Sequence, residues 1–353
     1  MTANPVLVEV IRGAMVESAH RGAAAVVTVD GSVYRSWGDI QCPVYPRSAI
    51  KPLQAIPLIE TGAAGHFGLG DAEIALAAGS HRGGSLHVNA IAAWLARLGI
   101  GVEHLECGAQ APVSRTAAEE LRRDGKSFTA LHHNSSGKHA GFLTTALHMN
   151  EPLEGYSRPE HPVQRRVAQV LAEMTEADLA TAPHGLEGCG VPMYGVPLVR
   201  LALGMARLVA PVGLPPLRAA AARRVCDAMA RHPELVVGPG RLSTVVMEIT
   251  AGAVIVKGGA EGVFLGAIRE AGMGFALKID DGSQRAADVA LLAILNQLGT
   301  LLPEHLRALS DRLAPLLRNA SGTVVGSLRS RLGPGDVETR ISSSRHLSVT
   351  RPS

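Results

Sequence analysis

Lysine is nearly absent from this 353-residue chain. Of its 34 basic residues only Lys51, Lys126, Lys138, Lys257 and Lys278 are lysines, and the rest are arginines. Surface charge is met by Arg, so each Lys invites a reason. A lysine can lose its proton and act as a base, whereas an arginine in practice cannot. Aromatics are also scarce, at 3%, which removes the stacking surfaces that single-stranded nucleic acid needs. The net charge is only +3, with basic residues scattered, so no nucleic-acid partner is expected. No apolar run approaches the ~18 residues that span a bilayer, and no membrane partner is expected. "MTANPVLVEVIRGAMVE" has no basic-then-apolar signal pattern. The four cysteines (Cys42, Cys107, Cys189, Cys226) are far apart with no CxxC, which reads as reduced thiols in a cytoplasmic protein. GxSxG, HExxH and GxGxxG are missing too, which removes the common elbow, zincin and dinucleotide signatures.

What is present has a clear order. "AAAVVTVDGSVYRSWG" places β-branched runs on either side of Asp30-Gly31, a hairpin signal. "SAIKPLQAIPLIETG" reads as one helix from Ser48, with Pro52 in its first turn and Gly62 at its end. "DAEIALAAGSH" reads as a short helix capped by Asp71. Further helices are expected over 85–98, from Ser136, and over about 160–173, 197–208 and 215–231. "TAGAVIVKGG", "GVFLGAIRE" and "GFALKIDDG" then read as three antiparallel strands, followed by a helix at about 284–301. Strands, helices and strands again predict an α+β fold. The sheet is expected from about 5–40 and 250–330, with a helical block of about 48–245 inserted. A single catalytic domain over 1–332 and a polar, disordered tail over 333–353 complete the expected organisation.

Four stretches can carry chemistry. In "PRSAIKP" Ser48 and Lys51 are one helical turn apart, so the lysine could activate the serine, or Ser48 could simply cap the helix. A free lysine is neutral about one part in a thousand near pH 7, so a basic Lys51 needs burial or a second cation nearby. Lys257 ends an apolar strand and precedes two glycines, which would let another backbone come close; it could equally snorkel to solvent. Ser80 and His81 sit among small residues at a helix end, where an ordinary turn is the alternative. "HNSSGKHAGF" holds a second SxxK, Ser135 to Lys138, but lacks the Gly spacing of a phosphate loop. Its helix start could bind a carboxylate. "GLEGCGVP" adds Glu187 and Cys189 in a glycine-rich loop.

Taken together these stretches resemble the rhizobial-type L-asparaginases, the asparaginase II family. The resemblance runs from about residue 8 to 330 and rests on "PRSAIKP" (46–52), "ALAAGSH" (75–81), "HNSSGKHAGFL" (133–143), "HPVQRRV" (161–167), "EGCGVP" (187–192), "MARHPELVVGPGR" (229–241) and "GAVIVKGGAEGVFLGAI" (252–268). The TGG signature of the threonine-nucleophile asparaginases is missing. The resemblance implies a fold like serine β-lactamases and penicillin-binding proteins, a homodimer, and L-asparagine as substrate. It implies two Ser–Lys pairs in one pocket, Ser48 with Lys51 and Ser80 with Lys257. Arg47, Lys138, His139 and Glu187 become candidates for holding the substrate's α-carboxylate and α-amino group. Relatives bind zinc through a Cys at the position of Ser135, with a Lys and a Cys matching Lys138 and Cys189. The first ligand is lost here, so no metal is required and at most weak zinc binding is expected. Two rival readings stay open: a penicillin-recognising peptidase or β-lactamase, and a non-catalytic amino-acid-binding relative.

Overall fold

The computed structural model describes residues 3–333 and 335. Its centre is an eight-stranded sheet in which every pairing is antiparallel. The N-terminal part of the chain supplies β1 (Val6–Arg12), β2 (Met15–Thr28) and β3 (Val33–Trp37). The C-terminal part supplies β4 (Val254–Gly259), β5 (Val263–Ile268), β6 (Met273–Ile279), β7 (Leu316–Arg318) and β8 (Val324–Ser330). The order across the sheet is β7-β8-β1-β2-β6-β5-β4, with β3 also paired to β2. The helices between β3 and β4, among them α1 (Asp71–Ala77) and α2 (Ser136–His148), form the inserted block, so the fold is α+β.

β2 is long because it serves two neighbours. Its first half pairs with β1 and its second half, Gly22–Thr28, with β6. Ala23 to Val27 are all buried, and so is nearly all of β6. Helix α3 (Leu198–Val209) packs on these strands, and helix α5 (Gln284–Gln297) also packs against β6, β5, β1 and β8. The α3 contact is close: a Cβ on Gly274 of β6 would sit 2.0 Å from Ala202 O, so only glycine fits there. Each fully buried Val or Leu in these layers contributes ~1.5–3 kcal/mol relative to exposure, and this core fixes the edge strand β4 that carries Lys257.

Two local expectations are corrected. Residues 48–62 do not form one helix. A 3₁₀ turn, Arg47–Ile50, leads into Lys51–Gln54, and a separate piece covers Ile56–Glu60. Pro57 has no N–H to give the preceding turn, so the chain restarts there. Asp71 is not the cap of helix α1 (Asp71–Ala77): Gly70 is, and Glu73 Oε2 accepts the Gly70 N–H at 2.9 Å. The hairpin at Asp30-Gly31 and the strands after residue 250 are as expected. The expected disordered tail falls largely on 334 and 336–353, outside the described residues.

Candidate active site

Beside β4 opens a cleft of about 510 Å³ lined by Arg47, Ser48, Ser80, Ser135, Glu187 and Lys257, among others. Ser48 lies within the 3₁₀ turn and is not its N-cap, which is Pro46. The residue before it, Arg47, has φ +50°, a left-handed conformation that costs a residue with a Cβ roughly 1–2 kcal/mol. Strand β4 holds the turn in place. A Cβ on Gly259 would sit 2.8 Å from Pro46 O and 3.0 Å from Ala49 N, so the glycine lets the two backbones meet. Ser48 is therefore presented on a strained turn wedged against the strand that carries Lys257.

Three lysines lie in or behind this wall. Lys51, Lys138 and Lys257 are 1%, 2% and 1% exposed, and among the described residues none forms an ion pair. Burial pushes Lys51 well below the usual lysine range, and the Lys138 and Lys257 cations push it further. Burial likewise brings Lys257 down to about 7, partly opposed by Glu187. Lys51 Nζ donates to the carbonyls of Gly79 at 2.8 Å and Asn134 at 3.3 Å, and lies 3.0 Å from Ser135 Oγ. The amine is the donor in all three contacts, and the Ser135 hydroxyl in turn donates to Asn134 Oδ1 at 3.0 Å.

The expected Ser–Lys pairs are not hydrogen-bonded. Lys51 Nζ bonds to Ser135 Oγ rather than to Ser48. Lys257 Nζ donates to Gly258 O at 2.7 Å, and Ser80 Oγ has no hydrogen-bond partner among the described residues. Ser48, Ser80 and Lys257 nevertheless line one cleft, with Lys51 just behind it.

The other candidates divide. Arg47 and Glu187 line the cleft and face each other, Nε to Oε1, at 3.9 Å. Lys138 and His139 do not line it. His139 is fully buried, with Nδ1 2.6 Å from Tyr156 Oη. Burial drives its pKa well below the ordinary value. Cys189 lines the cleft. Burial alone would raise its thiol, but the Lys138 and Lys51 cations bring it down to about 7. His81 is a neutral strut: its Nδ1 accepts the Gly83 N–H at 3.1 Å, and its Nε2 lies 2.8 Å from Ser136 Oγ. His133, which the sequence offers only as a possible substitute zinc ligand, lines the cleft; its Nδ1 accepts the Ser135 N–H at 3.0 Å, and burial lowers its pKa to about 4. The sequence reading missed Arg241, Ser243 and Asp288 as site candidates.

A cleft of serines backed by buried lysines, at the edge of an antiparallel sheet with a helical insertion, defines the class: an α+β protein with the parts of a nucleophilic site. The chain belongs to the L-asparaginase II family, whose profile matches residues 8–330. No curated protein matches it at a significant level. Among solved structures it is similar to a β-lactamase from Mycobacterium bovis, at 15% identity and a TM-score of 0.39 over 78% of this chain and 94% of that one. A protein from Bacteroides dorei provisionally called a β-lactamase is similar at 15% identity and a TM-score of 0.40, over 78% and 93%. Likeness this loose transfers no role. Among the described residues no helix is long and apolar enough to cross a membrane.

Proposed function

We propose that this protein hydrolyses L-asparagine to L-aspartate and ammonia, with Ser48 as nucleophile. The observation that carries the reading is the set of buried lysines without carboxylate partners beside a cleft lined by Ser48 and Ser80. A serine needs a base before it attacks, and burial with like charges is what turns a lysine into one. Lys51 takes the Ser48 proton, and Ser135, between Lys51 and the cleft, is the hydroxyl able to pass it on. Lys257, with Ser80, returns a proton to the leaving nitrogen. The Ala49 N–H is already bonded to Pro46 O at 3.1 Å, so the Ser48 N–H is the donor left in this turn for the oxyanion. Purified protein should release ammonia from L-asparagine. Release from neither L-asparagine nor L-glutamine, with cleavage of a β-lactam reporter, would overturn the assignment.

Base should silence the enzyme. Lys257 hands the leaving nitrogen a proton and so must be charged when substrate binds, and its pKa is about 7. The expected kcat/KM therefore falls as pH rises through about 7. A profile flat from about pH 5 to 9 would remove Lys257 from the proton path.

Zinc does not fit this chain well. Ser135 Oγ donates to Asn134 Oδ1 at 3.0 Å and faces Lys51, and a hydroxyl is a far poorer zinc ligand than a thiolate. Among the described residues no three His, Cys, Asp or Glu side chains converge on one point. We expect metal analysis to find well under one zinc per chain, and a chelator to leave activity intact. Ser135→Cys should raise the zinc content, since Lys138 and Cys189 are in place. Stoichiometric zinc in the unaltered protein would contradict this.

A further inference from the structure

Away from Ser48 the cleft changes character. Arg241, Leu242 and Ser243 enter it from the start of helix α4 (Leu242–Ile249), and Gln284 and Asp288 from the start of α5. Arg241 is exposed and forms no ion pair among the described residues. The first turn of α4 has no side-chain cap, so its N–H groups remain available to an anion. Ser243 is 4% exposed, yet its hydroxyl makes no hydrogen bond among the described residues. Asp288 accepts one hydrogen bond, from Gln284 Nε2 at 2.8 Å, and is likewise unpaired. At the Ser48 end, by contrast, Arg47 and Glu187 already face each other. A ligand must compete for charges that are paired; it can use those that are not.

An α-amino acid carries a carboxylate and an ammonium on one carbon. A cation, an unpartnered hydroxyl and a helix start suit the first, and a single carboxylate suits the second. We propose that Arg241, Ser243 and the start of α4 hold the substrate's α-carboxylate while Asp288 holds its α-ammonium, so that this end of the cleft selects free amino acids among primary amides. The assignment rests on cleavage of the side-chain amide at Ser48. Burial raises the Asp288 pKa against the lowering pull of its Gln284 hydrogen bond and of Arg241 and Arg312.

Three amides separate the two charges: L-asparagine, 3-aminopropanamide, which lacks the α-carboxylate, and succinamate, which lacks the α-ammonium. Arg241→Ala should raise KM for asparagine and succinamate at least about tenfold, as expected for losing a hydrogen bond between charged groups. It should leave 3-aminopropanamide within about twofold. Asp288→Asn should weaken asparagine and 3-aminopropanamide and spare succinamate. Calorimetry with L-aspartate and succinate reads the same sites without turnover. Aspartate binding should weaken in both variants, and succinate binding only in Arg241→Ala. Unchanged aspartate binding in both variants would overturn the subsite. Failure of the wild type to hydrolyse asparagine, with this binding pattern intact, would instead overturn the reaction assigned above.

Discussion

Replacing Lys257 with methionine is expected to abolish turnover and make the protein more stable. The ammonium is 1% exposed and donates one hydrogen bond, to Gly258 O at 2.7 Å. Its pKa in the fold is about 7, against ~10.4 for an unfolded lysine. The unfolded chain binds this proton more tightly, so between those values stability rises with pH. At pH 7 the mismatch costs the fold on the order of 4 kcal/mol. Methionine fills a similar shape without a charge, and the cost disappears. Urea unfolding at pH 7 should show the variant more stable, with the gap closing toward pH 10. Lys257→Arg keeps the charge but cannot lose a proton and should also be inactive. A Lys257→Met protein less stable than wild type at pH 7, or one retaining a tenth of wild-type kcat, would refute the view of Lys257 as a strained catalytic amine.

Ser48→Ala should lower kcat at least ~100-fold while leaving stability within ~0.5 kcal/mol. The pairing of the two results matters. A helix-capping serine would lose ~1 kcal/mol on truncation and have no direct effect on chemistry. Ser48 is not the N-cap of its turn, which is Pro46, and it lies next to a residue held at φ +50°, so the change should fall on the reaction. A stability loss with kcat preserved would return Ser48 to the role of a cap.

Much of the frame was legible because it is local. Asp30-Gly31, the β-branched runs after residue 250 and the glycines beside Lys257 each act on their immediate neighbours. The scarcity of lysine pointed to five residues alike; Lys51, Lys138 and Lys257 are buried, whereas Lys126 is exposed and Lys278 half-buried. What failed was long-range or depended on a face. Lys51 bonds to residues 28, 83 and 84 positions away, which no spacing rule covers. Lys138 and His139 could not be sorted by periodicity, since every residue from Ser136 to Ala146 is buried. Arg241 and Asp288 come from different helices, and only the folded sheet brings them to one cleft. The weak signal for them was an Arg at the end of a Gly-Pro-Gly turn, just before an apolar helix.

Four serines, Ser48, Ser80, Ser135 and Ser243, line the cleft, and the account stands on which of them bonds covalently to substrate. The direct measurement is mass spectrometry of enzyme quenched during turnover of L-asparagine, with the peptide map read for an aspartyl ester. The account predicts the ester on the peptide carrying Ser48, lost in Ser48→Ala and retained, at reduced turnover, in Ser135→Ala. An ester on Ser80 or Ser135 in the unaltered enzyme would contradict it.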